Sequence, residues 1–218
     1  MIELYNVRKS YGNIEVLKDV NLKVREGEFI SVRGKSGAGK TTLLKILGLL
    51  DDPDGGEVRV FGKDVKGLND DERSSIRLHY IGFIFQFFNL IPSLTVMENI
   101  ELPLALAGIG KQERRLRVQE LLKYFNLTGL AHRLPDTLSG GERQRVAAIR
   151  AIVNNPKIIL ADEPTSSLDN ENSQLLMELL TKINREKRVT VVLTTTDLYE
   201  KLPATRDYLL MEGRLIEH

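Results

Sequence analysis

A glycine-rich stretch, GKSGAGKT at residues 34–41, has residue types and spacing suited to binding the phosphates of a nucleotide. It fits the pattern G-x-x-x-x-G-K-[ST], in which backbone N–H groups converge on an anion because glycine has no Cβ. The helix start that follows adds partial positive charge. We expect Lys40 to neutralise β- and γ-phosphate oxygens and Thr41 to offer its hydroxyl to Mg²⁺. The motif predicts a nucleoside triphosphate site and leaves kinases, GTPases and motor ATPases open.

Two carboxylates follow an apolar run in the second half of the chain, IILADE at residues 158–163. Asp162 stands at the predicted strand tip, where it is placed to hold Mg²⁺ through water. Glu163 faces the other way along the backbone, where it could polarise an attacking water. Taken alone, the pair could also be an exposed acidic turn before Pro164. Beside a phosphate loop, it favours a catalytic site.

A second candidate anion-binding helix start lies in LSGGERQR, residues 138–145. Ser139 is a good N-cap, and Gly140 and Gly141 leave the first turn bare for an anion to approach. Such a second helix terminus is redundant in a simple phosphate-loop enzyme. The stretch therefore needs a separate explanation, although alone it would be an ordinary helix start.

Strands and helices that alternate at both ends of the chain must position these residues. Strands are predicted at 2–7, 20–25, 28–33, 57–61, 79–85, 157–161 and 189–194, with a closing hairpin that turns at Glu212 and Gly213. Helices are predicted at 40–50, 111–126 and 171–186. This alternation favours an α/β fold. The middle, roughly 87–140, has helical patterns and no convincing strand, and is predicted to be a helical insertion.

Composition excludes several classes of function. The 218-residue chain has no cysteine, which excludes disulfides, cysteine metal sites and thiol catalysis. Lys and Arg total 31 against 30 Asp and Glu, and a net charge of +1 gives no reason to propose a nucleic-acid partner. The chain opens without a signal-peptide pattern, and its longest apolar stretch, IGFIFQFFNLIP, is too short to span a bilayer. We expect a cytoplasmic protein that serves a membrane only as a peripheral subunit.

Taken together, the motifs resemble those of the ATP-binding-cassette ATPases. GKSGAGKTT, Gln86 after a strand, LSGGE, ILADEP and SSLD come in that family's order over residues 1–215. FIFQFFNLIPSLTVMENIELPL, with LSGGERQRVA and NNPKIILADEPTSSLD, is most similar to the lipoprotein-releasing and macrolide-export branch. The resemblance implies one nucleotide-binding domain, 1–218. Its P-loop NTPase (RecA-like) core with an antiparallel β subdomain would take 1–86 and 141–218, and its helical subdomain 87–140.

The resemblance also implies a role for each motif. In this family ATP lies between two subunits in head-to-tail contact, so Ser139 and Gly141 would bind the γ-phosphate of ATP held by a partner copy. Gln86 would touch Mg²⁺ and the γ-phosphate, and the segment after it would contact a membrane permease. Tyr11 would stack on adenine, or is simply a surface tyrosine in a turn. Asp169 would cross the dimer interface, cap the following helix, or both.

The residues that the resemblance implies form three overlapping sets. The nucleotide-binding set is Tyr11, Gly34, Lys35, Ser36, Gly37, Ala38, Gly39, Lys40, Thr41, Thr42, Ser139, Gly140, Gly141 and Asp169. The metal set is Thr41, Gln86 and Asp162, and the catalytic set is Glu163, Gln86 and Thr196. The implied cofactors are ATP and Mg²⁺. The implied partners are a second cassette, identical or different, and a permease on the inner face of the cell membrane.

The stretch LTTTDLYE, residues 193–200, departs from the family pattern of a histidine followed by aspartate. Aligning Asp197 with that aspartate places Thr196 at the histidine position. Threonine has a shorter side chain and cannot carry positive charge, so we expect ATP binding with hydrolysis slowed by about 10²–10⁴-fold. Either the native protein is a slow ATPase or ATP-binding switch, or histidine was replaced in this chain by design.

Other classes of protein remain as alternatives. A regulatory ATP-binding module with negligible turnover would account for Thr196. A soluble cassette protein of DNA repair or translation normally carries two cassettes or a long coiled-coil insertion, and this sequence has neither. A small-molecule P-loop kinase would leave LSGGE unexplained.

Overall fold

The computed structural model describes all residues 1–218 and contains ten strands and six α-helices. The strands are β1 Ile2–Tyr11, β2 Ile14–Val24, β3 Phe29–Arg33, β4 Gly55–Val60, β5 Lys63–Asp64, β6 Ile81–Ile84, β7 Ile158–Asp162, β8 Thr190–Thr195, β9 Arg206–Met211 and β10 Arg214–Glu217. The helices are α1 Lys40–Leu47, α2 Asp70–Tyr80, α3 Val96–Leu106, α4 Lys111–Tyr124, α5 Gly140–Ile152 and α6 Asn170–Lys187. Short 3₁₀ turns lie at 65–67, 128–130 and 135–137.

The strands form two sheets. The smaller sheet is antiparallel, with the order β2-β1-β4-β5. The larger sheet has the order β10-β9-β3-β8-β7-β6 and is parallel except for β10, which forms a hairpin with β9. All residues of β3 and β8 are buried, as expected for parallel strands covered on both faces. The predicted α/β fold with a phosphate-loop core is confirmed.

Apolar clusters on both faces hold the larger sheet in place. One cluster joins the smaller sheet and α1 to one face, through residues such as Leu4, Leu43 and Leu160. Another joins α5 and α6 to the opposite face, with Phe29 and Leu180 near its centre. Because the sheet is packed from both sides, its strand ends form a rigid edge for a site.

The helical segment between β6 and β7 has its own apolar cluster. Within 87–140 the structure has α3, α4 and two 3₁₀ turns and no strand. Ile100 of α3, Leu122 of α4 and Ile149 of α5 share that cluster. The packing therefore continues past residue 140 into α5, and the division at 86 and 140 stays a prediction. None of the helices combines the length and the apolar character needed to cross a membrane.

Several predicted element bounds were wrong, each for a physical reason. The sequence analysis missed α2 because Ile76 is its single buried residue and no apolar periodicity results. His79 and Tyr80 end α2, so the strand predicted from residue 79 begins at Ile81. The helix predicted to residue 50 ends at Leu47, since Gly48 caps it and Leu49 has a φ of 57°.

Candidate functional site

The predicted site residues follow the carboxyl ends of four adjacent parallel strands. Gly34 follows β3, Thr196 follows β8, Glu163 follows β7, and Gln86 lies just beyond β6. In the sheet these strands stand side by side in the order β3-β8-β7-β6. Ligands of open α/β sheets bind in the crevice outside the carboxyl ends of the strands. The topology therefore brings four separate motifs to one edge.

The phosphate loop, residues 34–39, joins β3 to α1. Gly39 has a φ of 103°, and a Cβ there would lie 2.9 Å from Val16 Cγ1, so this position requires glycine. Gly39 is also the N-cap of α1, where no side chain caps the helix and no acidic residue lies in the first turn. The N–H groups of that turn are left for an anion.

The ammonium group of Lys40 lies inside the phosphate loop. Lys40 is buried, and its Nζ donates to Gly34 O at 2.8 Å and to Lys35 O at 3.0 Å. The same atom lies 3.1 Å from Glu163 Oε1. An ammonium has three donors, and these three oxygens use them all. The lysine therefore holds the loop in shape and faces the catalytic carboxylate predicted from the sequence.

Two hydroxyl groups, one from the first turn of α1 and one from the end of β8, hold the carboxylate of Asp162. Thr41 Oγ1 donates to Asp162 Oδ2 at 2.8 Å, and Thr194 Oγ1 donates to Asp162 Oδ1 at 2.7 Å. Gln86, just beyond β6 at the same edge of the sheet, makes no side-chain hydrogen bond. Hydroxyl and carboxylate oxygens suit Mg²⁺, an ion that keeps several waters and phosphate oxygens as ligands. The chain has no group of three His, Cys, Asp or Glu side chains that could hold a metal, so Thr41 and Asp162 fit Mg²⁺ only as a partial ligand set.

The backbone of Glu163 is fixed in an uncommon conformation. Its φ is 44°, and its N–H donates to both the carbonyl and the hydroxyl oxygen of Thr194, each at 3.1 Å. A positive φ is rare for a residue with a Cβ, and the two hydrogen bonds stabilise it. This backbone conformation places the Glu163 side chain beside Lys40 while Asp162 meets Thr41.

Gln144 of α5 connects two loops of the site and was missed by the sequence analysis. Its side chain is fully buried, and Nε2 donates to Phe85 O at 3.2 Å and Pro164 O at 3.0 Å. Both partners are carbonyls, so the amide nitrogen must face them. Gln144 Oε1 is buried without a partner. The signal in the sequence was a glutamine on the apolar face of a helix.

Hydrogen bonds hold the loop after β8 in place, but none of them involves Thr196. Thr196 is exposed and makes no hydrogen bond, whereas the buried Thr195 hydroxyl donates to Glu200 Oε2 at 3.2 Å. Arg33 donates to Asp197 O at 2.9 Å and to Glu200 O at 2.8 Å. Burial raises the pKa of the Glu200 carboxyl. Among the residues of this loop, Thr196 thus remains available to a ligand.

Residues 138–142 form a capped helix start that is not bonded to the phosphate loop. Ser139 is the N-cap of α5: its Oγ accepts from Glu142 N at 3.2 Å, and Glu142 Oε2 accepts from Ser139 N at 2.7 Å. No atom comes closer than 4.0 Å to a Cβ built on Gly140, whereas one on Gly141 would lie 2.0 Å from Asn172 Oδ1. No hydrogen bond or ion pair joins residues 138–142 to residues 34–42.

Tyr11 and Asp169 have partners that their predicted roles do not require. Tyr11 ends β1, and its hydroxyl donates to Asp51 Oδ2 at 2.6 Å. The residue is 47% exposed, and Lys9 Nζ lies 5.3 Å from the centre of its ring, so the face away from Lys9 is the one open to stacking. Lys9 Nζ donates to Asp51 Oδ1 at 2.7 Å. Burial opposes ionisation of Asp51, but the hydrogen bonds from Lys9 and Tyr11 outweigh it and lower its pKa. Asp169 caps α6 through Asn172 N at 2.8 Å, as one of the alternatives predicted.

The segment after Gln86 presents an exposed aromatic side chain beside an apolar groove. Phe87 is 74% exposed, and the next residues, Phe88 and Asn89, have φ values of 58° and 49°. Arg150 of α5 donates to Asn89 O at 2.6 Å and to Phe88 O at 2.9 Å. A groove of about 420 Å³ lies next to this segment; its apolar lining includes Phe83, Phe85, Leu102, Pro103 and Leu106.

Comparison with known proteins identifies close relatives. Residues 17–166 match the family model described as ABC transporter. The lipoprotein-releasing system ATP-binding protein LolD of Porphyromonas gingivalis is 46% identical over 210 residues, which cover 96% of this chain and 95% of LolD. The macrolide export ATP-binding/permease protein MacB of Sodalis glossinidius is 41% identical over 220 residues, which cover 99% of this chain and 34% of MacB.

A solved structure has nearly the same fold. The dimeric structure of MJ0796, an ABC transporter cassette of Methanocaldococcus jannaschii, superposes with a TM-score of 0.92 and 46% identity, covering 100% of this chain and 98% of that chain. A dimeric post-hydrolysis state of the same cassette, bound to ADP and Pi, gives the same TM-score of 0.92.

Proposed function

The chain belongs to the ABC transporter family, and from this premise we propose that it is the ATP-hydrolysing subunit that powers a separate membrane permease. Cassettes of this family bind ATP with Mg²⁺ and dimerise, as MJ0796 does. In our proposal the protein lies on the cytoplasmic face of the membrane and is held there by its permease. The partner cassette is a second copy or a related chain.

The observation that carries the proposal is the separation of the two anion-binding helix starts. Residues 138–142 share no hydrogen bond or ion pair with residues 34–42 of the same chain. A bare, uncapped turn at α1 and an open Gly140 at α5 are both suited to phosphate. We place ATP between the phosphate loop of one copy and residues 139–141 of the other. Residues 34–42 and Ser139, Gly140 and Gly141 are then its phosphate contacts.

The other nucleotide contacts follow from exposure and position. Tyr11 presents a half-exposed ring fixed by Asp51, and we assign it to adenine. Asp169 caps α6 with one carboxylate oxygen, and we assign its remaining acceptor capacity to the partner copy. With Tyr11 at the adenine and Asp169 at the partner copy, the proposed nucleotide site extends beyond the phosphates.

Hydrolysis requires a water oxygen to bond to the γ-phosphorus while the bond to the ADP oxygen breaks. We assign Glu163 as the group that accepts the proton of that water. The ammonium of its partner Lys40 can pair with the phosphate oxygens instead, which frees the carboxylate. Thr41, Asp162 and Gln86 would hold Mg²⁺, which would neutralise phosphate charge when bound. Gln86 is free to do so, because it has no hydrogen bond of its own.

We propose that hydrolysis is slow because Thr196 is short, exposed and uncharged. It has no hydrogen bond in the structure and offers a hydroxyl where the family pattern has an imidazole. This same observation favours a second candidate function, an ATP-binding regulatory switch or a subunit that transmits force across the cell envelope with negligible turnover. Turnover measurements distinguish the two functions.

The permease is proposed to dock at the groove beside Gln86. Phe87 and the apolar lining around Leu102 and Leu106 suit an apolar segment of a membrane protein. The names of LolD and MacB associate those relatives with lipoproteins and macrolides. We therefore propose an amphiphilic cargo for the transporter that this subunit serves.

Complementation between two inactive variants tests the shared site. Lys40→Ala removes the phosphate ligand of one copy, and Ser139→Arg blocks the helix start of the other. Each variant alone should remain a monomer with Mg-ATP in size-exclusion chromatography. A mixture can form one intact site, from the phosphate loop of the Ser139→Arg copy and Ser139 of the Lys40→Ala copy, and should dimerise. A mixture that stays monomeric while the unaltered chain dimerises would contradict the head-to-tail arrangement.

A further inference from the structure

We infer that Thr194 is a positioning residue that orients Asp162 toward Mg²⁺. The inference rests on the proposed role of Asp162 as a metal ligand. Thr194 is the first residue of the threonine triplet, and the motifs of the sequence gave it no role. The structure places its hydroxyl between the two carboxylate-bearing residues of the site.

The direction of each hydrogen bond at Thr194 is fixed by chemistry. A carboxylate accepts only, so the Thr194 hydroxyl must donate to Asp162 Oδ1, at 2.7 Å. A backbone N–H donates only, so Glu163 N must donate to the Thr194 oxygen, at 3.1 Å. The hydroxyl proton is thereby committed to Asp162. Thr194 is fully buried, so bulk water cannot replace this bond.

The sheet holds Thr194 in place from both sides. It pairs with Asp162 of β7 on one side and with Val32 of β3 on the other. A β-branched side chain in a strand has restricted χ1 rotation, so backbone position determines where the hydroxyl lies. The donor is therefore set before any ligand binds.

The hydrogen bond from Thr194 also sets the position of the second carboxylate oxygen of Asp162. With Oδ1 held by Thr194, Oδ2 faces Thr41 Oγ1 at 2.8 Å, the other proposed metal ligand. Without Thr194 the carboxylate can rotate about its Cβ–Cγ bond, and Oδ2 is no longer held toward Thr41. Loss of an outer hydrogen-bond partner of a metal ligand typically costs about 10–100-fold in metal affinity.

The test is a Mg²⁺ titration of nucleotide binding. Because the chain has no tryptophan, binding is followed by the anisotropy of a fluorescent, non-hydrolysable ATP analogue. Thr194→Val keeps the shape and removes the donor, and we expect its Mg²⁺ midpoint to rise about 10–100-fold. Affinity for the analogue in EDTA should stay unchanged. Thr194→Ser retains the hydroxyl and should restore the midpoint of the unaltered chain.

Thr190→Val provides a matched control on the same strand. Thr190 is also fully buried, but its hydroxyl accepts from Gly27 N at 2.9 Å, away from the site. We expect it to lower the melting temperature without moving the Mg²⁺ midpoint. If Thr194→Val does not fold, Thr194→Cys, with a weak thiol donor of similar size, should give a smaller shift in the same direction.

The outcomes separate this inference from the proposed function. A Thr194→Val midpoint equal to that of Thr190→Val, or equal losses of affinity with and without Mg²⁺, would overturn the positioning role. If the unaltered chain binds the analogue without any dependence on Mg²⁺, the proposed metal site itself is wrong.

Discussion

Lys40 Nζ and Glu163 Oε1 lie 3.1 Å apart, with 3% and 17% of their side chains exposed. The residue proposed to bind phosphate is thus paired with the residue proposed to activate water. Each neutralises the other while the phosphate loop holds no anion. A phosphate group that takes the ammonium must release the carboxylate, so binding and activation of the catalytic group are linked by one ion pair.

Replacing Glu163 with glutamine should separate ATP binding from hydrolysis. Glu163→Gln removes the proton acceptor and the ion pair but keeps the size of the side chain. Steady-state phosphate release should fall by about 10²–10⁴-fold, while affinity for Mg-ATP is kept or increased because Lys40 is no longer paired with a charge. Glu178→Gln, on the exposed face of α6, is the control and should behave as the unaltered chain. Unchanged phosphate release in Glu163→Gln would exclude Glu163 as the catalytic base.

Replacing Thr196 with histidine should speed hydrolysis. An imidazole can reach and orient groups that the shorter threonine hydroxyl cannot, and orienting or proton-handling groups are worth about 10²–10⁴-fold in rate. We expect Thr196→His to raise the rate of steady-state phosphate release by up to about 10²–10⁴-fold without a comparable change in KM. Thr196→Asn controls for size and polarity without an ionisable ring. Equal and brisk rates in all three chains would show that Thr196 does not limit turnover.

The carboxylate of Asp51 should make stability depend on pH at the acidic end. Its folded-state pKa is lowered, so it stabilises the fold above its unfolded pKa of about 3.9, and this stabilisation is lost as the pH falls through the folded value. At pH 7, Asp51→Asn should lower the free energy of unfolding by about 1–2 kcal/mol. In urea unfolding the difference should shrink as the pH falls below about 3.9, and it should disappear only below the folded-state pKa of Asp51.

The matched control for this pH dependence is Asp136→Asn, because Asp136 is exposed and makes no side-chain hydrogen bond. It should leave the free energy of unfolding unchanged at both pH values. A constant difference between Asp51→Asn and the unaltered chain across the whole range would show that ionisation of Asp51 is not what stabilises the Tyr11 end of β1.

Gly141 and Gly140 should respond differently to alanine, although they are neighbours in one helix turn. A Cβ on Gly141 would lie 2.0 Å from Asn172 Oδ1, and Asn172 is itself held by Asp169 and Arg145. Gly141→Ala should therefore cost about 1–3 kcal/mol in the free energy of unfolding. A Cβ on Gly140 meets no atom closer than 4.0 Å, so Gly140→Ala should change it by less than about 0.5 kcal/mol. Equal effects of the two variants in urea unfolding would contradict this packing.

Motifs with a local physical cause could be predicted from the sequence. The phosphate loop depends on glycines and a following helix, and both can be recognised from the order of residues in the sequence. The N-caps Ser139 and Asp169 could likewise be recognised, because a cap acts within three residues of itself. The hairpin turn at Glu212 and Gly213 is local as well, and the structure confirms it.

Relationships that depend on strand order could not be predicted in this way. Thr194 lies beside Asp162 only because β8 is the neighbour of β7, and the two residues are 32 positions apart. The same holds for Lys40 and Glu163, which the fold brings together from the start of α1 and the end of β7. Helix α2 was missed for another reason: it lies on the surface and buries too little to leave an apolar pattern.

The helix α5 links the segment after Gln86 to the cap at Ser139. Arg150, near the carboxyl end of α5, donates to the carbonyls of Phe88 and Asn89, and Ser139 is the N-cap at the opposite end. A helix of 13 residues is a stiff rod about 20 Å long. We therefore expect a displacement of the exposed turn at Phe87 to tilt α5 and so to move Ser139. Gln144, in the amino-terminal half of the helix, donates to the carbonyls of Phe85 and Pro164 and so holds that half against two loops of the site.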